Sequence, residues 1–441
     1  MGWKIHSPFF DTQRTLQPRR NAGKGGRPRP ASKNKARWWH NYHSTSFTSR
    51  FYPVPALTMS NEIKPLALHG HTRAVTHIRY TNEGDIIFSS GKDGLVCAWR
   101  TTDGERIGVY EGHSAIAGFS INQTSTLLAT AGSDLKTILY NVENGSTLSK
   151  IEHLAPCRST GISYDDSILF CNTDKKMGQP GAIHFYNLPE SIGLGVAPKT
   201  RFNPFASFTL PNEAITYAEF GPTQSTIFYT MGKGAVGILD VERQTAIRTA
   251  RPHSEEHDVV KMHFDSNYMT CITASKDCSA KLLDPRSLST IQTYKMDLPC
   301  NDATISPTAD HVIIGGGIDA QEAALSAHGG FSLRFYHKVH EDLLGTMSVH
   351  FGTIYGISFN PSGTGFASAA ADGFVKLFTF GEGYSKTVGA TPLWVPKSDE
   401  DEDNGAEEGE EEEYDEEGYV EEEEEEEAPA AAAAEDVDES A

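Results

Sequence analysis

The sequence predicts an all-β fold, a seven-bladed WD40 β-propeller with disordered basic N-terminal and acidic C-terminal extensions. Three observations carry that expectation. A motif returns about every 40 residues, the runs between its copies are short and strand-like, and the charge is segregated to the two ends. In the first copy Gly70-His71 precedes Asp93 by 22 residues, and Trp99 follows. In the second, Gly112-His113 precedes Asp134 by 21 residues, and Tyr140 follows. Near the far end His350 precedes Asp372 by 22 residues, with Phe378 after it. A Gly-His…Asp…Trp unit at a period of about 40–45 residues marks this architecture.

Each unit reads as strand, tight turn, strand. Ile86-Ile87-Phe88-Ser89-Ser90 leads through Lys92-Asp93-Gly94 to Leu95-Val96-Cys97-Ala98-Trp99. The third unit runs from His153 to Asp174 and Tyr186, and the fourth from Ile215 to Asp240. The fifth runs from His253 to Asp284, the sixth from Asp302 to Tyr336, and the seventh begins at His350. About 320 residues over seven units is about 46 each, which suits four strands per blade. Pro189 to Pro211 and Ile318 to Gly330 read as insertions that project as loops from a rim.

A polar lock is expected in the better-kept blades. The Asp accepts from turn amides and from the imidazole, and the imidazole reaches a hydroxyl and, through it, the indole N–H. The sets are His71, Ser89, Asp93 and Trp99; His113, Thr130 and Asp134; His253, Thr273 and Asp277; His350, Ser368 and Asp372. Tyr140, Leu283 and Phe378 stand where the last three sets lack Trp. A His–Asp pair also suits acid–base catalysis, but recurrence at one offset favours a structural role. The fourth blade lacks both members, with Lys233 near the Asp slot, and is expected to hold by packing alone. The run Lys64-Pro65-Leu66-Ala67-Leu68 has no partner in its own blade and is expected to close the ring as the outer strand of the seventh.

Charge divides the 441-residue chain into three. Residues 1–58 carry 11 Lys/Arg against one acid, residues 398–441 carry 25 Asp/Glu and no base, and the total is −21. The propeller, placed at 59–381, is therefore only mildly acidic. The basic arm is expected not to fold alone; its composition overlaps that of a transit peptide, and Met59 is a plausible true start. Non-specific nucleic-acid contact is its alternative reading. The disordered tail is placed at 382–441; its acidic part, 398–441, self-repels and reads as a solvated tail, or as a nucleic-acid mimic for basic proteins. Six cysteines without a C-x-x-C pair suit buried thiols in a reducing compartment. With no apolar run near the roughly 20 residues a membrane helix needs, the expectation is a cytoplasmic protein.

No phosphate loop, nucleophile elbow or zinc-protease signature is present. Gly315-Gly316-Gly317 follows an apolar strand without a helix after it, and His253/His257 and His337/His340 lack the companions a metal needs. No cofactor, metal or catalytic residue is expected. An enzyme of the propeller-lumen kind would need titratable groups clustered at the axis, which the sequence alone does not place.

Several runs resemble a known family. They are Glu83-Gly84-Asp85-Ile86-Ile87-Phe88, Asp103-Gly104-Glu105-Arg106-Ile107-Gly108 and Thr273-Ala274-Ser275-Lys276-Asp277 with Ala280-Lys281-Leu282. The most specific are His311-Val312-Ile313-Ile314-Gly315-Gly316-Gly317, Arg334-Phe335-Tyr336-His337-Lys338, His350-Phe351-Gly352 and Ala371-Asp372-Gly373-Phe374-Val375. In order and spacing they resemble subunit i of eukaryotic translation initiation factor 3, over about residues 62–380. The resemblance implies a non-catalytic scaffold that docks a C-terminal helix of subunit b, chiefly on blades five and six, and subunit g. It implies support of mRNA recruitment and scanning on the 40S ribosomal subunit, with no direct sequence-specific nucleic-acid or membrane contact. It matches Asp284 to an acidic position facing a basic side chain on that helix; a turn-capping Asp is the structural alternative. The chain departs from the family at Ala115-Ile116-Ala117-Gly118, where a Trp is usual, and at Tyr140-Asn141 in place of Trp-Asp. A WD40 adaptor of receptor-kinase signalling or histone binding is the alternative function.

Overall fold

The computed structural model describes residues 65–193, 195–197, 202–318, 331–381 and 384. By its contacts the chain divides into Met1–Val54 and Pro55–Ala441, and every described residue lies in the second unit. The arm at 1–58 and nearly all of 382–441 lie outside the described residues.

Seven four-stranded antiparallel sheets account for the described strands. Their inner strands are Val75–Tyr80, Ile116–Ile121, Cys157–Ile162, Ile215–Phe220, Val259–Phe264, Cys300–Ile305 and Ile354–Phe359. Each inner strand contacts the next, and the last contacts the first, so the blades form a closed ring around an axis. Because both faces of a blade are covered by its neighbours, the middle strands lose polar alternation. Leu127–Gly132 is buried at every position, as is Gly365–Ala370. Strands with no solvent face favour apolar and small residues throughout.

The seventh sheet is shared by the two ends of the propeller. Leu66, Ala67 and Leu68 pair antiparallel with Leu377, Lys376 and Val375. Leu68 is 2% exposed and packs with Val75, Ile78, Ile87, Trp99, Val375 and Leu377, a cluster that fills the joint between the last and first blades. The sequence expectation of a closing strand is met at Leu66–Leu68.

The region from Pro189 to Pro211 departs from expectation. Ala206–Leu210 is the outer strand of the third blade, paired with Gly181–Phe185. A short helix, Glu190–Gly193, turns Ile192 into the core with Leu127, Leu148, Tyr186 and Leu188. The flanking prolines hid a strand whose alternation spans just five residues. Of the second insertion, residues 319–330 lie outside the described residues. Among the described residues no helix is long and apolar enough to cross a membrane.

Every inner strand carries one irregularity at the same place. The register to the second strand slips between Val75 and His77, Ile116 and Gly118, Cys157 and Ser159, Ile215 and Tyr217, Val259 and Lys261, Cys300 and Asp302, and Ile354 and Gly356. A bulge adds one residue and re-aims the side chains after it. Here it turns His77, Tyr217, Lys261 and Asp302 towards the axis.

If the shared sheet holds the ring shut, Leu68→Ala should lower stability by about 2–4 kcal/mol, the cost of emptying a packed leucine site. Urea unfolding followed by tryptophan fluorescence checks this, with Leu66→Ala, at a half-exposed position, as the near-neutral control.

Candidate functional site: polar locks, an axial cross-brace and two mouths

The locks form at the ends of the blades where the inner strands begin. In the first blade the Trp99 indole N–H donates to Ser89 Oγ at 2.8 Å, and Ser89 Oγ lies 2.8 Å from His71 Nε2. His71 Nδ1 meets Asp93 Oδ2 at 3.0 Å, and Asp93 also accepts the amide of Thr72. A neutral imidazole with its proton on Nδ1 satisfies every member of this chain. The second blade repeats it with His113 between Thr130 and Asp134, both at 2.8 Å. Tyr140, at the Trp position, instead sends its hydroxyl to the carbonyl of Glu111. In the fifth blade His253 joins Thr273 at 2.8 Å and Asp277 at 2.9 Å. In the seventh His350 joins Ser368 at 2.7 Å and Asp372 at 2.9 Å.

Each lock ties the loop entering a blade to the turn in its middle. The turn must pass close: a Cβ on Gly132 would meet Asp134 Oδ1 at 2.1 Å and His113 Nδ1 at 2.2 Å. Burial works against charge on these groups. It lowers the pKa of His113, keeping the imidazole neutral. It also opposes the charge on Asp277, but His253, the Ser279 hydroxyl and the Ser254 amide outweigh it and hold that carboxyl well below the usual range.

The other blades use different means. In the third, His153 turns away from Asp174 and meets Thr137 Oγ1 of the second blade at 3.0 Å. Asp174 pairs instead with Arg158 at 2.9 Å and Lys176 at 3.1 Å. Burial lowers the His153 pKa to about 4. In the fourth, Lys233 occupies the turn with φ of 58°, and the interior is held by Phe220, Ile227, Tyr229 and Met231. In the sixth, the triple glycine ends a strand: a Cβ on Gly316 would meet the Pro299 carbonyl at 1.9 Å.

The axis holds a cluster that the sequence reading did not find. Lys261 of the fifth blade reaches Asp302 of the sixth at 3.1 Å, the Tyr355 carbonyl of the seventh at 2.5 Å and the Thr76 carbonyl of the first at 3.3 Å. Asp302 also accepts from His263 Nε2 at 2.9 Å and from the Ile357 amide at 2.9 Å. Glu219 of the fourth blade lies 3.9 Å from His263 and pairs with Arg79 of the first at 3.1 Å. Asp302 is 1% exposed; burial opposes its charge, and Lys261, His263 and the Ile357 amide outweigh it, holding the carboxyl far below its usual value. His77 beside them is pushed down, first by burial and then by Lys261. The available signal was charge inside inner strands, in Val259-Val260-Lys261-Met262-His263 and at Asp302, combined with the bulge that aims it inwards. Chemically the cluster is a cross-brace: Lys261 and Asp302 are taken up by each other, by His263 and by backbone, while Glu219 pairs with Arg79 through one oxygen and leaves its buried Oε2 without a hydrogen bond.

The brace separates two mouths. The lower, a cavity of about 130 Å³, is lined by Arg79, Glu219, Tyr217, Tyr164, Tyr268 and the ends of the inner strands. The upper, about 310 Å³, is lined by Lys92, Arg158, Lys261 and Lys276 with Asp258. Among the described residues no group of three or more His, Cys, Asp or Glu could hold a metal. Five of the six cysteines are buried, and burial pushes the Cys97 thiol up to about 11.

Asp284 lies in the outer turn of the fifth blade, remote from the axis. Its carboxylate accepts from the Ser287 hydroxyl at 2.6 Å and the Arg286 amide at 3.0 Å, which hold its pKa below the usual range. It therefore caps its own turn.

The propeller region is also the part of the chain that known proteins match. A family model described as EIF3I matches residues 63–388. Eukaryotic translation initiation factor 3 subunit I of Nematostella vectensis is 34% identical over 325 residues, covering 73% of this chain and 98% of that protein. The subunit I of Aspergillus terreus is 34% identical over 325 residues, covering 73% of this chain and 96% of its own length. That of Danio rerio is 31% identical over 327 residues, covering 73% and 98%.

The lock geometry makes a graded prediction. Ser89→Ala leaves both the His71 nitrogen and the buried Trp99 N–H without a partner, whereas Ser368→Ala strands only His350, because Phe378 has no N–H. Each orphaned group costs about 1–3 kcal/mol. Thermal or urea denaturation should therefore rank Ser89→Ala as the more destabilising by at least about 1 kcal/mol.

Proposed function

This chain belongs to the EIF3I family, and on that premise we propose that it is a non-catalytic, cytoplasmic scaffold of translation initiation factor 3 that docks subunits b and g. In this reading it supports mRNA recruitment and scanning on the 40S ribosomal subunit through the complex, and makes no sequence-specific nucleic-acid contact of its own. The observation that carries the proposal is the family match across the whole propeller, 63–388.

The side of blades five and six supports the docking site. Ile291 is 49% exposed on the outer strand of blade five, and Val339 and Leu343 are 52% and 51% exposed where blade six turns outwards. Gln292, the next residue, donates to the Val339 carbonyl at 2.7 Å, so the outer strand of blade five meets the outer turn of blade six here. Asp284 sits in the turn just before that outer strand, with its charge at the rim. An amphipathic helix read through its apolar face, with a basic residue towards Asp284, fits such a seam.

The test is a pull-down of subunit b by the full chain. Asp284→Asn keeps an acceptor for Ser287 and Arg286 while removing the charge, and Asp284→Lys reverses it. Both should weaken retention, the lysine variant by about tenfold or more, equivalent to ~1.4 kcal/mol, with the melting temperature of the asparagine variant unchanged and the ring still folded in the lysine variant. Unaltered retention by Asp284→Lys would remove that residue from the interface. Recovery of kinases or histones in place of initiation-factor subunits would favour the signalling or histone-binding adaptor.

A further inference from the structure

We propose that the upper mouth of the channel is a docking site for an acidic peptide, and that its occupant is this chain's own acidic segment, residues 399–427. The mouth is built for anions. Lys92 and Lys276 occupy equivalent turns of the first and fifth blades, each fixed by its amide donating to the carbonyl of Ala74 or Asp258. Their side chains are exposed, and among the described residues neither has a carboxylate partner. Arg158 and Lys261 stand in the wall behind them, neutralised by Asp174 and Asp302, and Asp258 is the one carboxylate among the residues lining the cavity. Lys92 Nζ is held over the Tyr355 ring, 5.2 Å from its centroid, at the lip.

Three arguments choose the occupant. The first is charge: residues 398–441 hold 25 Asp/Glu and no base, including Glu421 to Glu427 without interruption. The second is exclusion from the other end, where the turns around the lower mouth carry Glu83, Asp85, Asp165 and Asp166. Like charges in low screening repel. The third is reach. The described chain ends at Tyr384, whose hydroxyl meets His311 Nδ1 at 2.8 Å. His311 starts a strand whose other end, Gly316, lies on the upper side, so Tyr384 is near the lower rim. A six-residue strand is about 20 Å long, and the ~22 residues between Tyr384 and Glu407 can span up to about 70 Å. The segment can therefore pass the rim and arrive at the mouth with length to spare. The segment also holds two aromatic residues, Tyr414 and Tyr419.

Carbodiimide coupling of carboxylates to lysines in the full chain, read by mass spectrometry, tests this. The expected result is coupling of residues 399–427 to Lys92 and Lys276 within one chain, at yields several-fold above other lysines. It should fall steeply at about 0.5 M salt, where screening is short-ranged. Lys92→Gln with Lys276→Gln should leave the melting temperature unchanged and increase protease cleavage within 399–427. Equal coupling to Lys150 and Lys295 on outer strands, coupling centred on Lys24, Lys33 and Lys35 of the basic arm, or coupling between chains would overturn it. So would a short single-stranded RNA that shields Lys92 and Lys276 from acetylation as well in the full chain as in a chain ending at residue 397.

Discussion

A ring of separate sheets has one joint that chain connectivity does not make, and the architecture depends on closing it. Two devices meet there. Leu66–Leu68 supplies the outer strand of the last blade and plugs Leu68 between that blade and the first. Lys261 reaches across the axis to carbonyls of the first and seventh blades while its charge is matched on the sixth. The first device is apolar and peripheral, the second polar and central, so the joint is held at both radii. A buried ion pair adds little stability by itself but punishes separation of its partners, which makes it suited to fixing which blades meet.

The polar locks act at a smaller scale. Each one rigidifies a single blade by joining its entry loop to its middle turn, and the blades differ in how completely they do so. The first has the full chain through Trp99, the second, fifth and seventh lack the indole, and the third redirects its histidine to Thr137. The fourth relies on Phe220, Tyr229 and their neighbours. This unevenness leaves one architecture with blades of different local stiffness.

The sequence disclosed the ring because its repeat is local: His71, Ser89, Asp93 and Trp99 lie within 29 positions and recur at fixed offsets. The closing strand was legible too, because Leu66–Leu68 had no partner nearby. What escaped was non-local or short. The axial brace joins residues as far apart as Thr76 and Lys261, and no periodicity links them. Its members point inwards because of a bulge, and a bulge has no signature in a single strand's composition. Ala206–Leu210 was read as loop because five residues between prolines give too little alternation to outweigh the turn signals around them. Asp284 follows the fifth blade's third strand and accepts from Ser287 and Arg286 in its own turn, a local role that a turn-capping acid fills.

The central claim is that the axis couples the blades into one unit across the closing joint. Hydrogen exchange of the full chain carrying Asp302→Ala tests it most directly, because the variant leaves Lys261 charged and unmatched at the centre. The account predicts that amides in Val75–Tyr80, Val259–Phe264 and Ile354–Phe359 lose protection together with Cys300–Ile305. Loss confined to the sixth blade, with the first and seventh as protected as before, would contradict it.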